Sequence, residues 1–219
     1  MRTIKILGLP LLIFLYMMLS VPFQGCEPDD GDNDCDTCNM LYKPNIYIYP
    51  DEQIQLSVKL NFPMGGEIVT SIPDYGTGWN VMIDTTGLIN NTYSYLFYES
   101  TQPDVWQRND GWVIETDKLE SFFRQNMIDY GFKGREIDDF IEYWIPRLTT
   151  YPLYSIYPQK KSIIDNVVRL DFSKQPENIL RLFYVIKGCN QLQDKVSNPA
   201  IDSFKREGYF VTEWGVVLK

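Results

Sequence analysis

Four glutamates stand beside aromatic residues or at the ends of predicted strands, where a carboxyl group could act as an acid or a base: Glu99, Glu115, Glu142 and Glu213. The chain contains no histidine, which excludes Ser-His-Asp and Cys-His mechanisms, histidine metal sites and imidazole bases. The most available hydrolytic chemistry is then that of a glycosidase, which needs one carboxylic acid with a raised pKa and one ionised carboxylate. Acidic chains bring carboxylates together by chance, so we assign no catalytic residue and expect binding rather than catalysis.

Two further carboxylates, Asp138 and Asp139, are neighbours on a predicted helix. Adjacent positions on a helix do not face each other, so these two side chains cannot serve one site. We expect them to be solvated or to interact with the positive end of the helix dipole.

Aromatic residues offer a second kind of site, because flat rings stack on sugar faces and tyrosine hydroxyls hydrogen-bond to sugar hydroxyls. The chain has five Trp and 15 Tyr. Trp106 and Trp112 lie in the polar stretch "QPDVWQRNDGW", and Tyr75 lies in a loop rich in glycine. We predict that these three are exposed and contact a ligand. The other tryptophans are on predicted strands or on a helix stripe and are expected in the core: Trp79, Trp144 and Trp214.

Aspartates at every second position from 30 to 36 resemble the first ligands of a calcium loop. Counting from Asp30, however, the position of the required glycine holds Cys35 and that of the bidentate glutamate holds Leu41, which excludes an EF-hand. Weaker calcium binding of another kind is the alternative. We predict no metal site and no cofactor.

Cys35 and Cys38 form a C-x-x-C. Two thiolates without histidine make a poor zinc site, and no helix start follows them as in a redox motif. In an exported protein a disulfide is the more natural use of such cysteines. The predicted pairing joins Cys189 to Cys38 or to Cys35.

The N-terminus has the layout of a secretory signal peptide, predicted over residues 1–25. Arg2 and Lys5 are followed by an uncharged, apolar run from Ile6 to Phe23. The run is long enough to span a bilayer as an uncleaved anchor, but Pro10 and Pro22 make a poor straight helix.

The sequence "FQGC" favours cleavage over an anchor. Gly25 directly precedes Cys26, which resembles the lipobox of bacterial lipoproteins, where the cysteine is acylated and becomes the mature N-terminus. Phe23 departs from the usual aliphatic residue of that motif. The resemblance implies lipid attachment at Cys26, and several acyl chains would hold the protein firmly on a membrane.

Residues 26–42 are predicted to form an acidic tether that cannot bury enough apolar surface to fold. The opening "CEPDD" resembles the acidic export signal that some Bacteroidetes-type lipoproteins carry after the acylated cysteine. The resemblance implies an outer membrane lipoprotein exposed on the cell surface.

From Lys43 onward the composition predicts a folded body of class α+β. Short alternating strands between turns indicate an antiparallel β-sandwich-like region over residues 43–112. Apolar helical stripes then predict a helical hairpin, which starts after Thr116 and ends near Pro146. Further strands follow, and the nearly all-apolar "ILRLFYVIKG" is expected to be a central one. Residues 113–219 are predicted to form an α+β region packed on the first. One continuous sheet system with the hairpin against it is the alternative.

Five blocks of the body resemble a recurring group of uncharacterised bacterial secreted proteins and lipoproteins: "KPNIYIYP" (43–50), "PDYGTGWNV" (73–81), "YSYLFYE" (93–99), "DFIEYWIPRL" (139–148) and "REGYFVTEWG" (206–215). The resemblance implies an extracytoplasmic module and supplies no mechanism.

The formal net charge is −9 and no basic stripe is present, so we expect no nucleic-acid partner. The expected partners are the membrane, through the N-terminal lipid, and a polysaccharide or an envelope protein. The sequence therefore predicts a surface-exposed binding module. A carboxylate-dependent glycan hydrolase and a structural or assembly lipoprotein of the envelope are the alternatives.

Overall fold

A computed structural model describes residues 38–191 and 197–219 of the chain. The strands in these ranges are β1 (Cys38–Tyr49), β2 (Ile54–Asn61), β3 (Glu67–Ile72), β4 (Trp79–Ile83), β5 (Leu96–Pro103), β6 (Trp112–Glu115), β7 (Leu153–Lys160), β8 (Arg169–Phe172), β9 (Asn178–Cys189) and β10 (Phe210–Leu218). The α-helices in these ranges are α1 (Leu119–Tyr130), α2 (Arg135–Trp144) and α3 (Lys161–Val167). The predicted signal peptide, the lipid site at Cys26 and the acidic segment up to residue 37 lie outside the described residues.

The strands form two sheets. The larger sheet has the order β3-β5-β1-β10-β9-β7-β6, and the smaller has the order β4-β2-β8. Paired strands are antiparallel except for β9 and β10, which run parallel. With the helical pair between β6 and β7, this is a mixed α+β, sandwich-like fold. The predicted fold class is confirmed.

The large sheet is buried on both of its faces. One face packs against the small sheet and α3 through Leu56, Val81, Ile164, Phe183 and Val211. The other face packs against α1 and α2 through Phe123, Phe140, Trp144, Tyr184 and Trp214. Because successive side chains of a strand point to opposite faces, β9 supplies Phe183 to one core and Tyr184 to the other. A strand buried on both faces needs the continuous apolar run seen in its sequence.

Two boundaries differ from those drawn on the sequence. β1 begins at Cys38 and Leu41 is fully buried, so residues 38–42 belong to the sheet rather than to the tether. The large sheet also takes strands from both sides of residue 112, because β1 pairs with β10 across almost the whole chain. Both sheets thus combine strands from the two predicted regions, since β8 also pairs with β2 in the smaller sheet.

Both predicted helices end as their sequences indicate. α1 stops at Gly131, whose φ of 110° lies in the left-handed region, and the Gly131 amide donates to the carbonyls of Met127 and Ile128. α2 continues into a 3₁₀ turn, Ile145–Arg147, which contains Pro146. Among the described residues, no helix is long and apolar enough to cross a membrane.

Two buried carboxylates, Glu213 and Glu136, hydrogen-bond to groups on other elements. Glu213 of β10 lies opposite Arg181 of β9, accepts a hydrogen bond from its guanidinium, and accepts another from the Tyr98 hydroxyl. Glu136 of α2 accepts two hydrogen bonds from Arg206 and one from Thr212 of β10. Partners of this kind are what a charge needs in order to be tolerated in a core.

We expect stability to be nearly constant around neutral pH and to fall above about pH 10, the ordinary tyrosine pKa. Burial raises the pKa of Tyr130 to about 12. It also raises the pKa of five others well above the ordinary value: Tyr47, Tyr49, Tyr98, Tyr184 and Tyr209. The unfolded chain releases these protons near pH 10 while the folded chain keeps them, so stability is fully present below that pH and declines as pH rises through the folded pKa values.

Urea unfolding between pH 6 and 11 checks this, with tyrosinate absorbance recorded on the same samples. The rise in tyrosinate absorbance of the buried tyrosines should coincide with the unfolding transition. Stability that fell between pH 6 and 8 would contradict the expectation, because the chain has no histidine to titrate there.

Candidate functional site

A bulge interrupts β1 at Lys43. The pairing registers with β10 and with β5 both shift just before Asn45. Lys43 has a φ of 56°, a left-handed conformation that residues other than glycine adopt at a cost. Bulges re-aim side chains and are common next to functional sites, and strained backbone conformations cluster at such sites. The surroundings of the Lys43 side chain are therefore a candidate site.

The Lys43 ammonium group lies in a cage of aromatic rings. Its Nζ is 4.9 Å from the ring centre of Tyr95, 4.5 Å from that of Phe97 and 5.5 Å from that of Tyr143. It also donates a hydrogen bond of 3.2 Å to the Tyr95 hydroxyl. Cation–π contacts of this kind each contribute about 0.5–2 kcal/mol and fix the position of the charge.

Helix α2 supplies the opposite wall. Asp139, Glu142 and Tyr143 are spaced by three and four residues, which places them on one face of the helix. Arg147, in the turn that follows, lies with its guanidinium 3.8 Å from the centre of the Tyr143 ring and donates to the Tyr143 carbonyl. The Tyr143 ring is therefore close to both cations.

These residues line an open depression of about 320 Å³, which we call the Lys43 depression: Lys43, Tyr95, Asp139, Glu142, Tyr143 and Arg147. In the part of the chain that the structure describes, no carboxylate oxygen lies within 4.0 Å of a side-chain nitrogen of Lys43 or Arg147. Asp139 is engaged, because its Oδ2 accepts a hydrogen bond of 2.8 Å from the Tyr47 hydroxyl.

A second depression of about 430 Å³, the Arg135 depression, is lined by Tyr47, Tyr49, Thr86, Leu88, Ser94 and Arg135. The Tyr47–Asp139 hydrogen bond joins a wall of one depression to a wall of the other. Arg135 and Asp139 lie four residues apart, on the same side of α2. The two depressions thus follow one another along α2.

This arrangement can orient a polar ligand by hydrogen bonds and charge. It offers two cations, two carboxylates and tyrosine hydroxyls around an open space, which is the usual composition of an orienting site. Among the described residues there is no group of three or more Cys, Asp or Glu side chains that could hold a metal ion.

We expect Lys43→Gly to be more stable than Lys43→Gln by about 0.5–1 kcal/mol. Both substitutions remove the ammonium group, but only glycine adopts the positive φ at this position without steric cost. The same pair at Lys59, an exposed residue of β2, is the matched control, and there glycine should be the less stable. Urea unfolding of the four variants measures both differences. Equal stability of the two Lys43 variants would show that the backbone there is unstrained.

The three aromatic residues predicted to bind a ligand are not brought together, and none of them lines either depression. Trp106 is only 4% exposed and packs edge-on against Phe183, so the prediction that it is exposed is wrong. The physical reason is that Gln107, beside it, exchanges hydrogen bonds with the buried Gln159 of β7, which ties the polar stretch to the sheet.

Trp112 and Tyr75 are half-buried. Trp112 stacks edge-on against Phe122 of α1, at 5.2 Å between ring centres. Tyr75 packs against Trp79 and accepts a hydrogen bond of 2.7 Å from the amide of Leu60. Both side chains are therefore anchored in the body, and their ligand contacts stay predictions.

Only one of the four glutamates considered for chemistry lines the Lys43 depression or the Arg135 depression. Glu142 is at the rim of the Lys43 depression, and Glu99 accepts a hydrogen bond of 3.3 Å from the backbone amide of Lys43. Glu115 forms an exposed ion pair with Lys118. Glu213 is buried against Arg181. The four carboxylates thus have separate surroundings, and Glu99, Glu115 and Glu213 each interact with another group of the protein.

Cys189 is a buried, free thiol next to the Ser155 hydroxyl. The strands that carry Cys38 and Cys189 are not neighbours in the sheet, because β10 lies between β1 and β9 in the strand order. The pairing of Cys189 with Cys38 stays a prediction. Cys35 lies outside the described residues, and its pairing stays a prediction.

Of the residues that line the Lys43 depression, only Glu142 was a candidate from the sequence, and Asp139 was expected to be solvated or to interact with the helix dipole. The lining residues fall in three of the five blocks on which the predicted resemblance rests. Lys43 opens "KPNIYIYP", Tyr95 is in "YSYLFYE", and Asp139 to Arg147 lie in "DFIEYWIPRL". Blocks far apart in the chain meet at one site.

Comparison with models of protein families, with curated proteins and with solved structures found no match for this chain.

Proposed function

We propose that the chain is a lipid-anchored protein of the bacterial surface whose folded body binds a glycan at the Lys43 depression without catalysing its conversion. The address rests on the resemblance of "FQGC" and "CEPDD" to the signals of exported lipoproteins. The binding role rests on the site, where a strained lysine, two tyrosines, an arginine and two carboxylates surround an open space on a rigid sheet.

The single observation that carries the binding role is the bulge at Lys43. A positive φ outside glycine, held in the centre of a seven-stranded sheet, costs stability and persists only where the surroundings enforce it. The result of that distortion is a cation held among aromatic rings at the surface. Tyrosine hydroxyls and carboxylates around it are suited to the many hydroxyl groups of a sugar.

A glycan array tests the proposal. We expect the full chain, extracted in detergent, to bind a subset of polysaccharide fragments, and we expect Lys43→Gln to lose that binding. Lys59→Gln removes the same charge from an exposed site on the small sheet and should bind like the wild type. Binding that survived Lys43→Gln would place the ligand elsewhere, and a chain that bound no glycan would contradict the proposed function.

One observation favours a glycan hydrolase as the second candidate. Asp139 and Glu142 are two carboxylates on the wall of one depression, which is the minimum that such a mechanism requires. Incubation of a bound glycan with the protein distinguishes the two functions. Release of shorter products, abolished by Glu142→Gln, would indicate an enzyme, whereas recovery of the intact glycan supports a binding module.

A further inference from the structure

We infer that the Lys43 depression recognises the acidic group of an acidic glycan, a carboxylate or sulfate carried on the sugar. This inference rests on the proposed glycan-binding function and adds the class of the ligand. It follows from the charge of the site rather than from its aromatic residues.

The two cations of the depression have unused hydrogen-bonding capacity. A lysine ammonium has three N–H donors, and Lys43 uses one on the Tyr95 hydroxyl. A guanidinium has five, and Arg147 uses one on the Tyr143 carbonyl. No carboxylate in the described residues forms an ion pair with either of them. An acidic group of the ligand would supply the missing partner through charge-assisted hydrogen bonds.

The aromatic rings favour this use of the cations over sugar stacking. Lys43 lies against the Tyr95 ring, and both Lys43 and Arg147 lie against the Tyr143 ring. These contacts compete with a sugar for the ring faces, and they hold the two charges near each other without neutralising them. Two fixed cations lining one depression can both donate hydrogen bonds to a carboxylate or a sulfate.

The carboxylates of the wall do not cancel this preference. Asp139 already accepts the Tyr47 hydroxyl, and Glu142 is exposed at the rim. Both can accept hydrogen bonds from sugar hydroxyls beside the acidic group. The overall charge of −9 opposes an anionic ligand only weakly, because charges more than about 8 Å from the ligand are largely screened at physiological salt.

The Arg135 depression extends the same chemistry along α2. It contributes another cation that forms no ion pair with the described residues, together with Thr86, Ser94 and two tyrosines. Hydroxyl groups around a cation suit a further acidic sugar unit. A repeating acidic polysaccharide could therefore occupy both depressions, whereas a single acidic group needs only the first.

The test compares probes that differ in their charge and in whether they contain sugar. The full chain in detergent is titrated with oligouronates, with the same oligouronates after their carboxyl groups have been reduced to alcohols, with sulfated galactan fragments, and with polyglutamate as an acidic polymer without sugar. We expect an acidic glycan to bind at least about tenfold more tightly than the uncharged form. Lys43→Gln and Arg147→Gln should each reduce that binding about tenfold or more, while Lys59→Gln leaves it unchanged.

Each outcome decides something different. Tight binding of oligouronates or of sulfated fragments supports the inference and identifies the acid. Equal affinity for the oligouronates and their reduced forms overturns the inference but leaves glycan binding in place. Polyglutamate binding as tight as that of the oligouronates overturns recognition of a glycan. No binding to any sugar overturns both this inference and the proposed function.

Discussion

Replacing Arg181 by methionine is expected to lower the free energy of unfolding by about 3–5 kcal/mol, a large part of the stability of a domain of this size. The side chains of Arg181 and Glu213 are 1% and 0% exposed. Methionine fills much of the same volume but leaves the Glu213 carboxylate buried without a cation. Its remaining partner, the Tyr98 hydroxyl, cannot balance a full charge.

The double variant Arg181→Met/Glu213→Gln is the control. It removes both charges and keeps an oxygen that can accept the Tyr98 hydrogen bond, so it should recover most of the loss. Urea unfolding of the two variants and the wild type measures the difference. A single variant within about 1 kcal/mol of the wild type would mean that water reaches Glu213, which contradicts its burial.

Replacing Cys26 by serine is expected to release the whole protein from membranes. In the proposed lipoprotein the acyl chains depend on the Cys26 thiol, which serine lacks. Each CH₂ that is no longer buried in the bilayer removes about 0.8 kcal/mol of membrane affinity. Metabolic labelling with a fatty acid and fractionation of cells check this.

The matched control is Cys189→Ser, which also removes one thiol but lies buried in β9. It should stay in the membrane fraction and keep the lipid label. A Cys26→Ser chain that remained in membranes would favour an uncleaved anchor formed by residues 6–23. Protease treatment of whole cells then separates the surface from the periplasm, because only a surface-exposed chain is digested.

Much of the fold could be predicted because its elements follow simple periodicities. β2 alternates buried Ile54, Leu56 and Val58 with more exposed residues, and the helix stripe at Phe140 and Trp144 faces the core. The nearly all-apolar β9 proved to be central in the large sheet, as its composition predicted. Local patterns of this kind depend only on which side of an element is buried.

Features that depend on distant pairing could not be predicted. The stretch "TYSYLFY" (92–98) has the composition of a strand, but β5 begins only at Leu96, because Asn90 and Asn91 adopt positive φ values and the chain turns before pairing starts. The neighbours of β1 are β5 and β10, which the sequence alone does not identify. The pairing of Cys189 with Cys38 or Cys35 also depends on distant parts of the chain and stays a prediction.

The candidate site was missed because exposure was inferred from the polarity of neighbouring residues. Trp106 lies in a polar stretch, yet it is buried. Hydrogen bonds between Gln107 and Gln159 hold this stretch against the sheet. Lys43 is half-buried and reads as an ordinary charge at the start of a strand. The contact of its ammonium group with Tyr143, on a helix about 100 residues away in the chain, is visible only in the structure.

The most direct test of glycan binding at Lys43 is a calorimetric titration of one array-selected glycan into three proteins: the wild type, Lys43→Gln and Trp112→Ala. We expect the affinity of Lys43→Gln to fall about tenfold or more and that of Trp112→Ala to match the wild type. The opposite result, with binding kept by Lys43→Gln and lost by Trp112→Ala, would contradict the assignment of the site to the Lys43 depression.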